Sequence, residues 1–272
     1  MAKYDKKTRK APVGFFCNVC GTRNAVVLAS LRRETGPCTK CGAIVRLRAI
    51  AYLVSNALFG KALPIPQWPD RPDLRGIGVS DWPAFEKIYN PKISYTNTQF
   101  DREIFDRQKF LDITKPPPEL LGTCDVVSCS EVLEHVVPPV SLAFDGLFSI
   151  LKPGGTLIFT VPFQFGETIE HFPDLYDWKL VEHNGGRKLV NVTRDNKRQE
   201  FTELCFHGGG SSVLEMRLFG LDGLTSELEK AGFTEISVMS ENHMEFGIYW
   251  PEPWSRPIVA KRPRDTATTP LL

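Results

Sequence analysis

Four of the chain's seven cysteines form two regular pairs, Cys17-x2-Cys20 and Cys38-x2-Cys41, with seventeen residues between them. This spacing lets four thiolates converge tetrahedrally on one ion. Gly21 and Gly42 follow the second cysteine of each pair, where a tight turn brings backbone amides toward the sulfurs. The pattern predicts a small ribbon in which Cys17, Cys20, Cys38 and Cys41 hold one zinc. Disulfides are the alternative, and a chain kept in a reducing compartment disfavours them. Four thiolates around one divalent ion leave about −2 and no open position for a substrate water, so the zinc is expected to be structural. Cys124, Cys129 and Cys205 lack metal spacing and read as core thiols.

The ribbon segment is also the basic part of the protein. In the first fifty residues eleven lysines and arginines, Arg32, Arg33, Arg46 and Arg48 among them, oppose only Asp5 and Glu34, so the rest of a chain of net charge +1 is acidic. The two parts are therefore expected to do different jobs. The 272 residues, 42% hydrophobic and 24% charged, have globular proportions and supply a sizeable core. The longest apolar stretches, Thr156 to Phe163 and Ala49 to Phe59, are shorter than the ~20 residues of a membrane span. With no apolar leader at the N-terminus, a cytoplasmic location and no membrane partner are expected.

Ile44 to Phe59 carries apolar residues at helical spacing and ends at Gly60, which predicts a helix. Pro64, Pro66, Pro69 and Pro72 then mark a stiff connector. The expected organisation is a basic tail, ribbon and helix over 1–60, a linker over 61–73, a catalytic domain over 74–261 and a flexible tail over 262–272. Within the domain, Leu74 to Val79, Ile93 to Thr98, Lys109 to Ile113, Cys124 to Cys129 and Thr156 to Val161 read as strands. Trp82 to Tyr89 and Val140 to Leu151 read as helices, followed by a helix at Gly223 to Ala231, a strand at Phe233 to Met239 and a last apolar run at Pro257 to Ala260. Such alternation argues for an α/β fold whose ligand site lies at the carboxyl ends of parallel strands.

Gly76-Ile77-Gly78-Val79-Ser80-Asp81 runs from strand to helix through glycines. Asp81 suits the N-cap of the helix carrying Pro83 and would repel a pyrophosphate, whereas a cationic ammonium or sulfonium has no such conflict. Cys124-Asp125-Val126-Val127-Ser128-Cys129-Ser130-Glu131-Val132-Leu133-Glu134-His135-Val136 and Leu151-Lys152-Pro153-Gly154-Gly155-Thr156-Leu157 follow in order. Together these blocks resemble the class I S-adenosylmethionine-dependent methyltransferases. The resemblance implies a Rossmann-like seven-stranded sheet with an antiparallel last strand, helices on both faces, and S-adenosylmethionine as cofactor. It places Gly76, Gly78, Ser80 and Asp81 beside the cofactor's amino-acid moiety, Asp112 and Ile113 at adenine, and Ser130 and Glu131 at the methionine part. Ser80 stands where the family's last loop glycine belongs. Gln99 replaces the acid expected at the ribose, where Asn97 and Thr98 are neutral substitutes.

Glu167 to Gly210 resembles a subset of these enzymes that carries an N-terminal zinc ribbon, through Glu-His-Phe-Pro-Asp-Leu-Tyr at Glu170 to Tyr176 and Phe-His-Gly-Gly at Phe206 to Gly209. Residues 167–210 are expected to form a substrate lid. His171 is the candidate proton acceptor and His207 the second. Asp174, Tyr176 and Trp178 are candidate substrate contacts, with Phe172, Tyr176 and Trp178 available to stack on a sugar. His135 reads as a packing or rim residue, and His183 and His243 as surface residues. Methyl transfer from a sulfonium is an in-line displacement that needs alignment and no catalytic metal. The leading expectation is O-methylation of a small-molecule or saccharide-like acceptor. The alternatives are an RNA methyltransferase docking through its basic ribbon, and a zinc-ribbon interaction protein that has lost catalysis.

Overall fold

The computed structural model describes residues 12–100, 109–207 and 213–265. The basic tail before residue 12, the glycines at 208–210 and the last seven residues lie outside the described residues. Strands β1 (Pro12–Phe16) and β2 (Arg23–Val27) form an antiparallel hairpin, and helix α1 spans Val45–Phe59. No glycine or proline interrupts α1, and Gly60 ends it in the left-handed region (φ 67°), its amide bonding the Asn56 carbonyl at 2.9 Å.

Then come β3 (Arg71–Val79), α2 (Ala84–Tyr89), β4 (Ile93–Thr98), β5 (Cys124–Ser130), α3 (Ser141–Ile150) and β6 (Leu151–Thr160). A run of short strands follows: β7 (Phe163–Gln164), β8 (Ile169–Glu170), β9 (Asp177–His183), β10 (Gly186–Val192), β11 (Arg198–Phe201), β12 (Phe206–His207), β13 (Val213–Leu214) and β14 (Arg217–Gly220). Helix α4 (Leu221–Lys230), β15 (Thr234–Val238) and β16 (Ile258–Lys261) complete the chain.

The main sheet has the order β15-β16-β6-β5-β3-β4. Strands β4, β3, β5 and β6 are parallel and β16 runs antiparallel to β6, as expected of the last strand. Central β5 is buried on both faces, with Asp125 alone half-buried, and carries Val126, Val127 and Cys129 into the core. Alternate residues supply two cores. Val127, Leu157 and Phe159 pack with α3 and α4, while Val126 and Ile158 pack with α1, α2 and the ribbon.

Two expectations are corrected. The strand expected over Lys109–Ile113 is one parallel bridge, Gln99 to Phe110, so the sheet has six strands among the described residues rather than seven. Asp112 ends the pairing by turning the chain, its Oδ1 accepting from the Thr114 amide (2.9 Å) and hydroxyl (2.6 Å). The proline-rich stretch, expected as a stiff connector over 61–73, gives its last residues to β3 and packs against the neighbouring elements. The Ile65 amide bonds the Asn18 carbonyl at 2.7 Å, and buried Trp68 stacks on Tyr89, which stacks on Phe85. Ribbon and sheet thus share one core, and β3 begins at Arg71.

Residues 167–207, the described part of the expected lid, build their own layer. β9, β10 and β11 form an antiparallel sheet over a small core of Phe172, Leu189, Leu214 and Met216. Asn184 (φ 49°) and Gly185 (φ 77°) make the β9–β10 turn, the Asn-Gly hairpin signal whose two positive φ angles match strand twist.

Candidate active site and metal centre

The four ribbon sulfurs lie within 4.8 Å of one another, with Cys17–Cys41 at 3.7 Å and Cys20–Cys38 at 3.6 Å. A tetrahedral zinc with ~2.3 Å bonds requires sulfur separations of about 3.8 Å, so the donor set fits. Cys41, whose thiolate accepts from the Cys17 thiol, falls to about 5, while Cys17 is pushed up. Asn24 Nδ2 supports Cys38 Sγ at 3.4 Å, and Asn24 Oδ1 is fixed by the Thr39 amide at 2.8 Å. Arg48 is fully buried beside the thiolates, over the Phe15 ring, and donates to the carbonyls of Gly36, Ala43 and Gly247. Burial lowers it to about 10 and the thiolates act to raise it, so it remains a cation that offsets the site's negative charge.

At the carboxyl ends of β3 and β5, Ser80 (φ 50°) and Glu131 (φ 55°) both take left-handed backbone, strain of the kind that collects at functional sites. Between them Asp81 is 2% exposed. Its carboxylate accepts from Ser128 Oγ, the Trp82 amide (2.9 Å) and Tyr95 Oη (3.2 Å). Burial raises its pKa, and Ser128, the Trp82 amide, Tyr95 and Arg46 pull it back. Asp81 therefore organises the sheet edge; the residue before α2 is Pro83, so the expected N-cap role is corrected.

Gly76 and Gly78 are small because Tyr95 crosses them. A Cβ on Gly78 would lie 2.2 Å from Tyr95 Oη and 2.7 Å from Asn97 Oδ1. Gly78→Ala should therefore lower stability by ~1–3 kcal/mol, read as a fall in melting temperature; an unchanged melt would refute the close packing. Asn97 and Thr98 are also turned inward. Asn97 bonds the Asp81 backbone through Nδ2 (2.9 Å) and Oδ1 (3.1 Å), and Thr98 Oγ1 donates to the Gly78 carbonyl at 2.8 Å. Gln99 Oε1 instead accepts from Ser80 Oγ at 3.0 Å on the rim. Ile113 is buried in the α3–α4 core, and Asp112 lies at the end of the bridge strand.

The ribbon reaches into this edge. Arg46 donates to Ser130 Oγ, which lies 3.3 Å from Thr160 Oγ1, and Arg33 pairs with Glu131. Burial would raise Glu131, yet Arg33 beside it holds the carboxyl below the usual range. Composition showed these arginines only as surplus positive charge; besides nearby Glu34, they meet Glu131 and Ser130, 98 and 84 residues away in the chain.

The lid layer is tied to the same loop. His171 Nε2 lies 2.8 Å from Glu215 Oε1, and the His171 amide bonds the Met216 carbonyl, whose own amide bonds the Glu134 carbonyl at 2.8 Å. Buried Arg217 clamps the arrangement, donating to Glu170 (2.7 Å) and to the carbonyls of Leu133 (2.9 Å) and Val136 (2.7 Å). Glu134 is 1% exposed with neither oxygen hydrogen-bonded. Burial, then the charge of Glu131, pushes it up to about 8. Sequence reasoning missed Glu134, Glu215 and Arg217 as site residues.

The candidate aromatic contacts divide. Tyr176 is exposed with Arg194 over its ring, Trp178 packs partly against the lid core, and Phe172 is buried in that core and is unavailable for stacking. Asp174 takes left-handed backbone at φ 60° and its carbonyl accepts from Asn191. His207 pairs with Val213 in β12.

No helix among the described residues is long and apolar enough to cross a membrane. No curated protein matches the sequence. Solved structures with a similar fold include a S-adenosylmethionine-dependent methyltransferase from Clostridium acetobutylicum ATCC 824 (12% identity, 71% of this chain and 85% of that one, TM-score 0.41). The sugar N-methyltransferase KedS8 from Streptoalloteichus sp ATCC 53650 aligns at 11% identity over 79% of this chain and 85% of its own, with a TM-score of 0.45. A Burkholderia thailandensis 1,6-didemethyltoxoflavin-N1-methyltransferase, solved with S-adenosylhomocysteine, aligns at 11% over 79% and 78%, with a TM-score of 0.43. A family described as a methyltransferase domain matches residues 21–238, and with a parallel sheet joined by an antiparallel last strand, the chain belongs to the S-adenosylmethionine-dependent methyltransferases, with a four-cysteine cluster at its N-terminal side.

Proposed function

We propose that the protein transfers a methyl group from S-adenosylmethionine to a hydroxyl of a small-molecule or saccharide-like acceptor, with one structural zinc held by Cys17, Cys20, Cys38 and Cys41. The observation that carries the hydroxyl assignment is the pairing of His171 with Glu215 at 2.8 Å, two backbone hydrogen bonds from the loop after β5. The cofactor, when bound, supplies a methyl group already activated by its sulfonium. The chain's task is to orient the acceptor and take its proton. With Nε2 facing Glu215, His171 presents Nδ1 as the acceptor nitrogen, and the Glu215 carboxylate stabilises the imidazolium that forms. Arg217 fixes the loop and β8 relative to one another, so the base keeps its position.

Asp112 is assigned to the adenine, and Ser130 with Glu131 to the methionine part. Tyr176 and Asp174 are assigned to the acceptor, and His207 is the second candidate base. Arg33 and Arg46 face Glu34, Glu131 and Ser130, so these two arginines are engaged within the protein, while Arg23, Arg32 and Lys40 are the exposed cations the RNA alternative would use.

Calorimetric titration should give one S-adenosylmethionine site per chain, and absence of binding would overturn the assignment. In methyl transfer to a panel of sugars, His171→Ala should lower kcat about 100-fold with cofactor affinity unchanged. An equally active His171→Ala protein would remove the proposed base.

A further inference from the structure

Glu34 already shows how a carboxylate sits at the methionine end of the edge. It accepts from Arg46 Nε (2.7 Å) and Nη2 (3.0 Å), and from Arg33 Nη1 (2.7 Å). Two parallel guanidinium bonds to one carboxylate are the arrangement for which arginine is shaped. Yet the Glu34 side chain is 46% exposed, so water can take it over at small cost. The guanidiniums are different. Arg46 and Arg33 are 15% and 17% exposed and are pinned by other groups, Arg46 by Ser130 and Arg33 by Glu131 and the Ser255 carbonyl (3.2 Å). The result is a fixed fork of two cations beside Ser130, holding a displaceable carboxylate.

We propose that Arg46, assisted by Arg33, is the receptor for the α-carboxylate of the cofactor's methionine part, and that Glu34 is the internal carboxylate this group displaces. The amino-acid end of S-adenosylmethionine is a zwitterion, and Glu131 on the same rim complements its ammonium. The ribbon, through Arg33, and the first turn of α1, through Arg46, thereby complete the cofactor pocket, and the zinc acts on cofactor binding through the position of these two arginines. The inference rests on the methyltransferase reading and goes beyond it by giving the ribbon a binding role.

The zinc-loaded full chain is titrated with S-adenosylhomocysteine and with its decarboxylated form, which keeps the amine, in wild type, Arg46→Ala and Glu34→Ala. Wild type should favour the carboxylated ligand by about 10- to 100-fold. Arg46→Ala should erase that preference while retaining affinity for the decarboxylated ligand. Glu34→Ala should bind S-adenosylhomocysteine several-fold more tightly, because a competitor is gone. Opposite signs at 46 and 34 separate a receptor from a structural ion pair, which would weaken in both variants. A preference that survives Arg46→Ala, or a Glu34→Ala protein that binds no tighter, overturns the inference alone. Wild type that binds neither ligand overturns the methyltransferase reading and the inference with it. Should Arg46→Ala fail to fold, the Glu34→Ala titration decides.

Discussion

A Cys38→Ser protein should emerge without zinc and without a native melting transition. A structural zinc contributes ~10–16 kcal/mol in small four-ligand domains, which equals or exceeds the ~5–15 kcal/mol by which a whole domain is usually stable. The loss would not stay local. Cys17 and Cys38 belong to the same core as Trp68, Tyr89 and Tyr95, and α1 rests on β5 and β6 through Val126 and Ile158. Removing the metal also leaves buried Arg48 beside thiols that no longer carry compensating charge. Metal analysis and calorimetry check this together, with Cys205→Ser, whose thiol is exposed rather than in the core as expected, as a variant that should keep its zinc. Stoichiometric zinc and a wild-type melt in Cys38→Ser would overturn the four-cysteine assignment.

The four-cysteine cluster was legible because its signal is local: two cysteines on each turn, fixed by spacing. Strands β4 and β5 and helices α1 and α3 were legible for the same reason, since apolar periodicity and a Gly60 stop act within a few residues. What the sequence hid depends on pairing across the sheet. Asn97 and Thr98 carry hydrogen-bonding groups suited to a ribose, yet the strand register sets Asn97 opposite Gly78 and spends its amide on Asp81. Phe172 looks like a stacking platform in sequence and is the centre of the lid core in space. Lys109 to Ile113 has strand composition but, among the described residues, pairs with the sheet through one bridge to Gln99, because the Asp112 turn ends it. Arg33 and Arg46 are the strongest case, since a surplus of charge cannot say whether a guanidinium faces solvent or a carboxylate on another element.

Glu134→Gln should turn a pH-sensitive stability into a flatter one. In the folded chain the Glu134 carboxyl titrates at about 8, against 4.5 for an ordinary glutamate. Between those values the native state keeps a proton that the unfolded state has released, so stability falls as pH rises through the window. Above about pH 8 the fold must hold a buried carboxylate without a hydrogen bond, His135 Nε2 lying 3.8 Å from it. The full span corresponds to on the order of 3–5 kcal/mol. A glutamine carries no such titration, so the stability of Glu134→Gln relative to wild type should rise by a few kcal/mol between pH 5.5 and pH 8.5 in urea unfolding. An equal difference at both pH values would refute a buried neutral acid. The outcome bears on catalysis because Glu134 stands between Glu131 and the His171–Glu215 pair, both of whose carboxylates act on it. Near neutral pH a protonated Glu134 keeps a further negative charge out of that loop, and above about pH 8 a third carboxylate would join Glu131 and Glu215 there.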